Sequence, residues 1–482
     1  MTMMNQLLNS NKIFLFGFFL LPFLLVTGPF LPDLFLVVSC IYFFFTNGLK
    51  ILFSTYKKEL IFFLIFFVYL NFNSLLISEH KFISAKVSVP YLRYFIFTFL
   101  IIYFLCSYKD FQKIFFYSCL ICLCLLFFDS FYQFINKVNI LGYPISNNRV
   151  SSFFNDEQIL GSYTSKIVVI ILAISYSLNY KDKTIKYLHF LIFLIGYSLI
   201  LLSNERTSFA YLLIILSIYC LIELNLKKFF SILSYFLILN LFIYAIYPKT
   251  FERIIFHSID QIKNSKSFLI SSYRHNLHYF TAIQMFKDKP IFGHGLKSFG
   301  YKCDNPDYGV KKKILNDKAI YADDDGYINF EENKILLVKK NNEIFFIGNS
   351  YNNISTIELS NFEKIKKGQY LGSFYEFDNG CNTHPHNTHF QFLSELGLIG
   401  YIFLLVIILY LMKDIFKFFK KKFLNKIKLD KSEKSYIICS IGLLLHINPL
   451  LPSGSFFNNY NSIIFYMIVA FLIYFKNIKK VQ

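Results

Sequence analysis

A chain of 482 residues with 55% apolar side chains and a mean hydropathy of +0.46 excludes the row of soluble domains that its length would otherwise allow. Its apolar runs, about 17 to 20 residues each, are long enough to cross hydrocarbon as helices and lack the alternating polar positions of a membrane barrel. The formal charge of +19 does not indicate nucleic acid, because no basic, aromatic-interleaved soluble segment carries it.

In chain order the runs predict about twelve spans, at roughly 13–28, 31–48, 60–77, 91–107, 115–133, 163–179, 187–203, 208–225, 229–247, 394–412, 436–451 and 460–475. Ile13 to Gly28 has no small-residue cleavage site and a second run follows closely, so it reads as an uncleaved first helix. The expected fold is therefore an all-α polytopic membrane protein. Membrane helices fill 1–247 and 394–482, and a large loop over 248–393 separates them.

Lysine placement orients this topology. Lys50, Lys57 and Lys58 follow the second run, Lys109 and Lys113 the fourth, and Lys181, Lys183 and Lys186 the sixth. Lys227 and Lys228, the run from Lys413 to Lys434, and Lys476, Lys479 and Lys480 continue the alternation. These loops and both termini are expected to be cytoplasmic. All five arginines, Arg93, Arg149, Arg206, Arg253 and Arg274, then fall on the opposite side. Bulk charge could come from lysine, so arginine there points to its planar fork, which suits phosphate.

The large loop begins with an amphipathic stretch from Tyr273-Arg274-His275 to Phe286, stopped by Pro290 and Gly293. A small β-rich insert is expected over 304–378, where ILLVKKNNEIFFIG reads as two strands around an Asn-Asn turn. Cys303 and Cys381 bracket the insert on the external side and are expected to form a disulfide. Cys119, Cys122 and Cys124 lie inside an apolar run and read as packing thiols. Asp323-Asp324-Asp325-Gly326 with Glu332 partly mimics a calcium loop, but Tyr321 stands where the first acidic ligand belongs, so an acidic turn is the better reading.

The chemistry concentrates in Cys381–Gly400, CNTHPHNTHFQFLSELGLIG, where His384, His386 and His389 precede an apolar helix. A neutral His386 could take a proton from a sugar hydroxyl near neutral pH, and Asn387 could orient the sugar or the imidazole. The bland alternative is a set of side chains capping a helix. A zinc site is a further alternative, with Cys381 near, but His384 and His386 straddle Pro385 and no carboxylate completes a familiar set.

Three patterns together resemble the bacterial O-antigen ligase and polymerase superfamily. His386-Asn387 is followed after nine residues by Gly397-x-x-Gly400. Asn204-Glu205-Arg206-Thr207-Ser208 resembles that superfamily's arginine-bearing hairpin, and Arg274 precedes Pro290-x-x-Gly293-x-Gly295. The resemblance implies a periplasmic-face, inner-membrane glycan transferase without metal or cofactor. His386, Arg206 and Arg274 would be catalytic, and Asn387, Arg149, His384 and His389 would bind substrate. The implied partners are an undecaprenyl-diphosphate-linked glycan donor, a lipid A-core or growing-glycan acceptor, and membrane lipid. O-antigen polymerase is the alternative within the family. A transporter is the alternative outside it, although Glu59, Asp129 and Glu223 fall near span ends rather than at mid-membrane.

Overall fold

The computed structural model describes residues 2–46, 48–146, 148–178, 180–223, 273–315 and 380–481, with isolated positions between 234 and 259 and short strands between 327 and 378. Among the described residues, 8 helices are long and apolar enough to cross a membrane. They are Lys57–Ile77, Lys81–Ser107, Phe111–Asn136, Leu160–Ser177, Asp182–Ser203, Arg206–Glu223, Thr388–Leu424 and Asn459–Ile478. Helices Phe30–Phe43 and Gly48–Thr55, bent by 79°, make a ninth if they form one broken span.

The expectation of about twelve differs from this for identifiable reasons. The run at 13–28 is the apolar part, Asn11–Leu24, of the 23-residue helix Thr2–Leu24, and the run at 436–451 is the 16-residue helix Lys431–His446. The second of these is shorter than the roughly 20 residues that cross hydrocarbon upright. The run at 229–247 lies almost wholly outside the described residues.

The chain divides into two compact units. The first comprises Met1–Tyr69, Ser88–Ile270 and Phe403–Gln482. Its most enclosed spans are Leu160–Ser177 and Asn459–Ile478, each 83% buried, whereas Lys57–Ile77 and Arg206–Glu223 are 33% buried. Leu160–Ser177 is enclosed on nearly all sides, and its Lys166 keeps a partner there in Asn461. Lys431–His446 packs on this helix: Ser435 donates to the Ala173 carbonyl (2.7 Å), and a side chain at Gly442 would strike Val169.

Aromatic residues fill the neighbouring layer, with Phe63 stacked on Phe95 at 4.8 Å and Tyr94 on Tyr466 at 5.8 Å. Polar groups at the helix ends are spent on structure. Arg93 pairs with Asp33 (2.9 Å) and donates to Asn459 (2.7 Å). Asp129 accepts from the Ser152 hydroxyl and the Ile140 amide, and Glu223 pairs with Lys434.

The second unit comprises Leu70–Val87 and Ser271–Ile402. Its helix Tyr273–Asp288 sends Ala282 and Met285 into a small core with Phe299, Cys303 and Tyr308. Cys303 and Cys381 are joined by a disulfide, their Cα atoms 4.9 Å apart across a separation of 78 residues. Closing a loop of that size removes roughly 4.5 kcal/mol of unfolded-chain entropy. Between the cysteines, Val310–Leu315 pairs antiparallel with Phe374–Asp378, which runs parallel to Glu343–Ile347. Asn333–Lys340 pairs antiparallel with Glu343–Ile347, Lys340 facing Glu343, and with Tyr327–Phe330 on its other edge.

Two glycine-bearing motifs meet within this unit. The His294 and Gly295 amides donate to the Ser394 and Glu395 carbonyls at 3.0 and 2.8 Å, and the Leu398 amide donates to the Pro290 carbonyl at 2.8 Å. Gly293 (φ +70°) and Gly397 (φ +63°) lie against each other there, and a Cβ on either would fall on the other's backbone. Buried Asn73 ties the same loop from a third direction, donating to the Phe292 carbonyl (2.6 Å) and accepting from the Leu296 amide (3.0 Å). Positive φ and close backbone approach each demand glycine. Gly397→Ala or Gly293→Ala is therefore expected to cost more than about 3 kcal/mol, seen as a lower melting temperature or loss of folded protein in detergent.

Candidate active site

The site is built where a loop crosses a helix inside the second unit. His275 and His278, one turn apart on Tyr273–Asp288, share a face of that helix. The loop Gly380–Asn387 is laid on this face. Gly380 comes so close that a side chain there would fall on the backbone of Leu277 and His278. Its amide donates to the Thr281 hydroxyl (3.0 Å), while its carbonyl accepts from His278 Nδ1 (2.6 Å).

That crossing gathers four imidazoles. The His386 ring centroid lies 4.1 Å from His384, 5.2 Å from His278 and 5.3 Å from His275. His386 has φ +53°, a left-handed conformation uncommon outside glycine and often found at functional positions. Burial above all, then His384, His275 and His278, pushes its imidazole down to about 2, so the ring is neutral at physiological pH. Burial also lowers His278, opposed by the Gly380 carbonyl and reinforced by Arg274. His294, buried with Nε2 against the Met285 carbonyl (2.9 Å), is held down to about 4, chiefly by burial.

After His386 the chain starts its helix at once. Asn387 is the N-cap of Thr388–Gln391, its side-chain oxygen accepting from the His389 amide at 2.9 Å. A π-helical turn, Phe392–Leu396, follows and ends at Gly397. Such turns cost hydrogen-bond geometry and recur at functional sites.

The residues singled out from sequence separate into groups. His384, His386 and Arg274 belong to the imidazole cluster, with Arg274 exposed on the helix beside it. His389 faces elsewhere: it is buried with Nδ1 3.0 Å from the Tyr401 hydroxyl, a packing arrangement within its own helix. Asn387 is buried and caps a helix rather than presenting its oxygen to a sugar.

Arg149 and Arg206 lie in the first unit, where they belong to one loop system. Arg149 donates to Ser203 O (3.0 Å), Gln158 Oε1 (2.5 Å) and Gln158 O (2.9 Å), and pairs with Glu205 at 3.4 Å. It therefore braces the hairpin that carries Arg206 instead of offering an open fork. Glu205 accepts from the Gly161 and Ser162 amides at 2.9 and 3.0 Å, a carboxylate placed on the N-terminus of Leu160–Ser177. Arg206 opens its own helix, half-buried. Arg253 and the acidic stretch Asp323–Asp325 with Glu332 lie outside the described residues.

Three residues went unread in the sequence. His275 and His278 follow Arg274 on one helix, a spacing that could have found them. Lys166 is the third, a cation inside a span of the first unit whose Nζ donates to Asn461 (2.7 Å) and sits over the Tyr460 ring. Among the described residues, no group of three or more His, Cys, Asp or Glu side chains is placed to hold a metal ion.

The fold and the cluster define a polytopic helical membrane protein with a neutral imidazole site beside a span. The family model described as O-antigen ligase matches residues 190–322 of the chain. That stretch contains Arg206, Arg274 and the Pro290–Gly295 motif and supports the O-antigen ligase superfamily, the family that the sequence motifs resemble. No curated protein matches the chain.

Neutral buried imidazoles link the site to pH. The unfolded chain binds protons on His386 and His294 as pH falls through 6.5, whereas the folded chain does not until about 2 and about 4. Stability should thus be nearly flat above about pH 7.5 and fall below it, by about 1.4 kcal/mol per imidazole at pH 5.5. Thermal melts of the purified protein between pH 7.5 and 5 check this.

Proposed function

We propose that the chain is an inverting, metal-independent glycan transferase that moves an undecaprenyl-diphosphate-linked glycan onto an acceptor sugar hydroxyl. The acceptor in this reading is lipid A-core, which makes it an O-antigen ligase. The observation that carries the proposal is the neutral, half-buried His386 at the head of the Thr388–Leu424 helix, in a chain with an O-antigen ligase match.

In the proposed step the acceptor oxygen attacks the anomeric carbon and its proton passes to His386. The bond from that carbon to the diphosphate oxygen breaks, and its electron pair leaves with the diphosphate. Arg206 and Arg274 are assigned to the charge developing on the diphosphate, Arg149 to holding the Arg206 hairpin, and His384 to the wall of the acceptor site. The reading carries a twelve-span topology with cytoplasmic termini and the loop 248–393 in the periplasm. The Cys303–Cys381 disulfide supports an oxidising compartment for that loop.

His386→Ala should abolish transfer, by about 10²-fold or more, in protein that still melts as a folded unit. In cells lacking the chain, long glycans should disappear from lipid A-core and persist on the lipid carrier. Single repeats on lipid A-core in place of a ladder would instead identify a polymerase. No change in either pool would refute both.

A further inference from the structure

One imidazole of the cluster has nitrogens that can be told apart. His278 Nδ1 lies 2.6 Å from the Gly380 carbonyl, which can only accept, so Nδ1 carries the proton. In the neutral ring Nε2 then holds the lone pair. The ring is 5.2 Å from His386 with the two planes inclined by 31°. It is also fixed from outside, because Gly380 presses its backbone onto Leu277 and His278 and donates to Thr281.

His386 needs such a neighbour. If it takes a proton during transfer it becomes a cation in a partly dry site, and a buried cation without an acceptor is costly. Hydrolases meet the same need with a carboxylate behind the histidine. Among the described residues, the groups facing His386 are His384 from its own loop and His275 and His278 from the helix, with cationic Arg274 beside His278. None is a carboxylate. His384 shares the loop with His386 and sets Nδ1 against the Thr383 hydroxyl at 3.1 Å, so it moves with the group it would have to hold. The His275 ring meets His386 edge-on at 77°.

We propose that His278 is the positioning residue for His386, its Nε2 accepting the His386 N–H so that the opposite nitrogen of His386 faces the acceptor hydroxyl. The inference rests on the functional reading above. In the transfer step the acceptor O–H bond breaks, the proton joins His386, the new C–O bond forms, and the C–O bond to the diphosphate breaks with its electron pair leaving on the diphosphate. His278 stays neutral and takes part of the charge of His386 through the hydrogen bond. The proton then leaves His386 for water, which returns the pair to its starting state.

Two substitutions in the full-length protein separate this role from a structural one. His278→Asn keeps an amide N–H where Nδ1 donates to Gly380 and removes Nε2. His278→Gln places an amide oxygen near the Nε2 position and gives up the Gly380 bond. Steady-state transfer from a purified lipid-diphosphate glycan should show kcat of His278→Asn lower by about 10²-fold. Its donor KM should stay within about twofold, and melting temperature and disulfide should be unchanged. His278→Gln should recover about tenfold of that kcat despite a lower melting temperature. An unimpaired kcat in His278→Asn overturns the inference, as do equal losses in both variants that follow their melting temperatures. Wild-type protein and His386→Ala run in the same assay keep the two claims apart. An inactive wild type, or an active His386→Ala, overturns the functional reading, whereas active wild type with unimpaired His278→Asn overturns this inference alone.

Discussion

The second unit depends on a backbone-to-backbone contact. Residues 290–295 and 394–399 approach until Gly293 and Gly397 touch, with amides and carbonyls exchanged on either side. The first segment ends the helix carrying His275 and His278, and the second continues the chain that carries His386. Locking these segments leaves the imidazole-bearing helix and the loop above it little freedom to slide apart. A functional group held this way draws its precision from main chain, which has no rotamers to lose. Asn73 adds a side chain that saturates both backbone polarities of the same loop.

Much of this was legible in the sequence because it is local. The stop after the amphipathic stretch was visible in Pro290 and Gly293, and the helix start in Asn387 and Gly397. What could not be read was the pairing of the two motifs, since residues about a hundred positions apart meet only through tertiary structure. The same limit hid the role of His278, which reads as an ordinary helix residue until the backbone of Gly380 is seen against it. Span counting meets a different limit. Lys431–His446 belongs to an apolar run but has only 16 residues, a length set by where the helix ends.

The arginines teach a further distinction. Residue type pointed to phosphate geometry, yet Arg93 spends its fork on Asp33 and Asn459, and Arg149 spends its own on Ser203, Gln158 and Glu205. The planar fork that suits a diphosphate suits carbonyls at helix ends equally well. Charge on one side of a membrane therefore marks candidates, and only the hydrogen-bond ledger of each guanidinium separates a brace from a ligand. By that criterion Arg274, exposed on its helix, keeps the stronger claim.

The disulfide has an implication for how this architecture can vary. Cys303 and Cys381 hold their Cα atoms 4.9 Å apart across a separation of 78 residues, so the two ends of a long loop are tied to each other. Lengthening a loop closed this way costs little, since doubling it adds only about 0.6 kcal/mol of closure entropy. The stretch between Tyr308 and Gly380 can therefore change length at small entropic cost while the cystine keeps its two ends together.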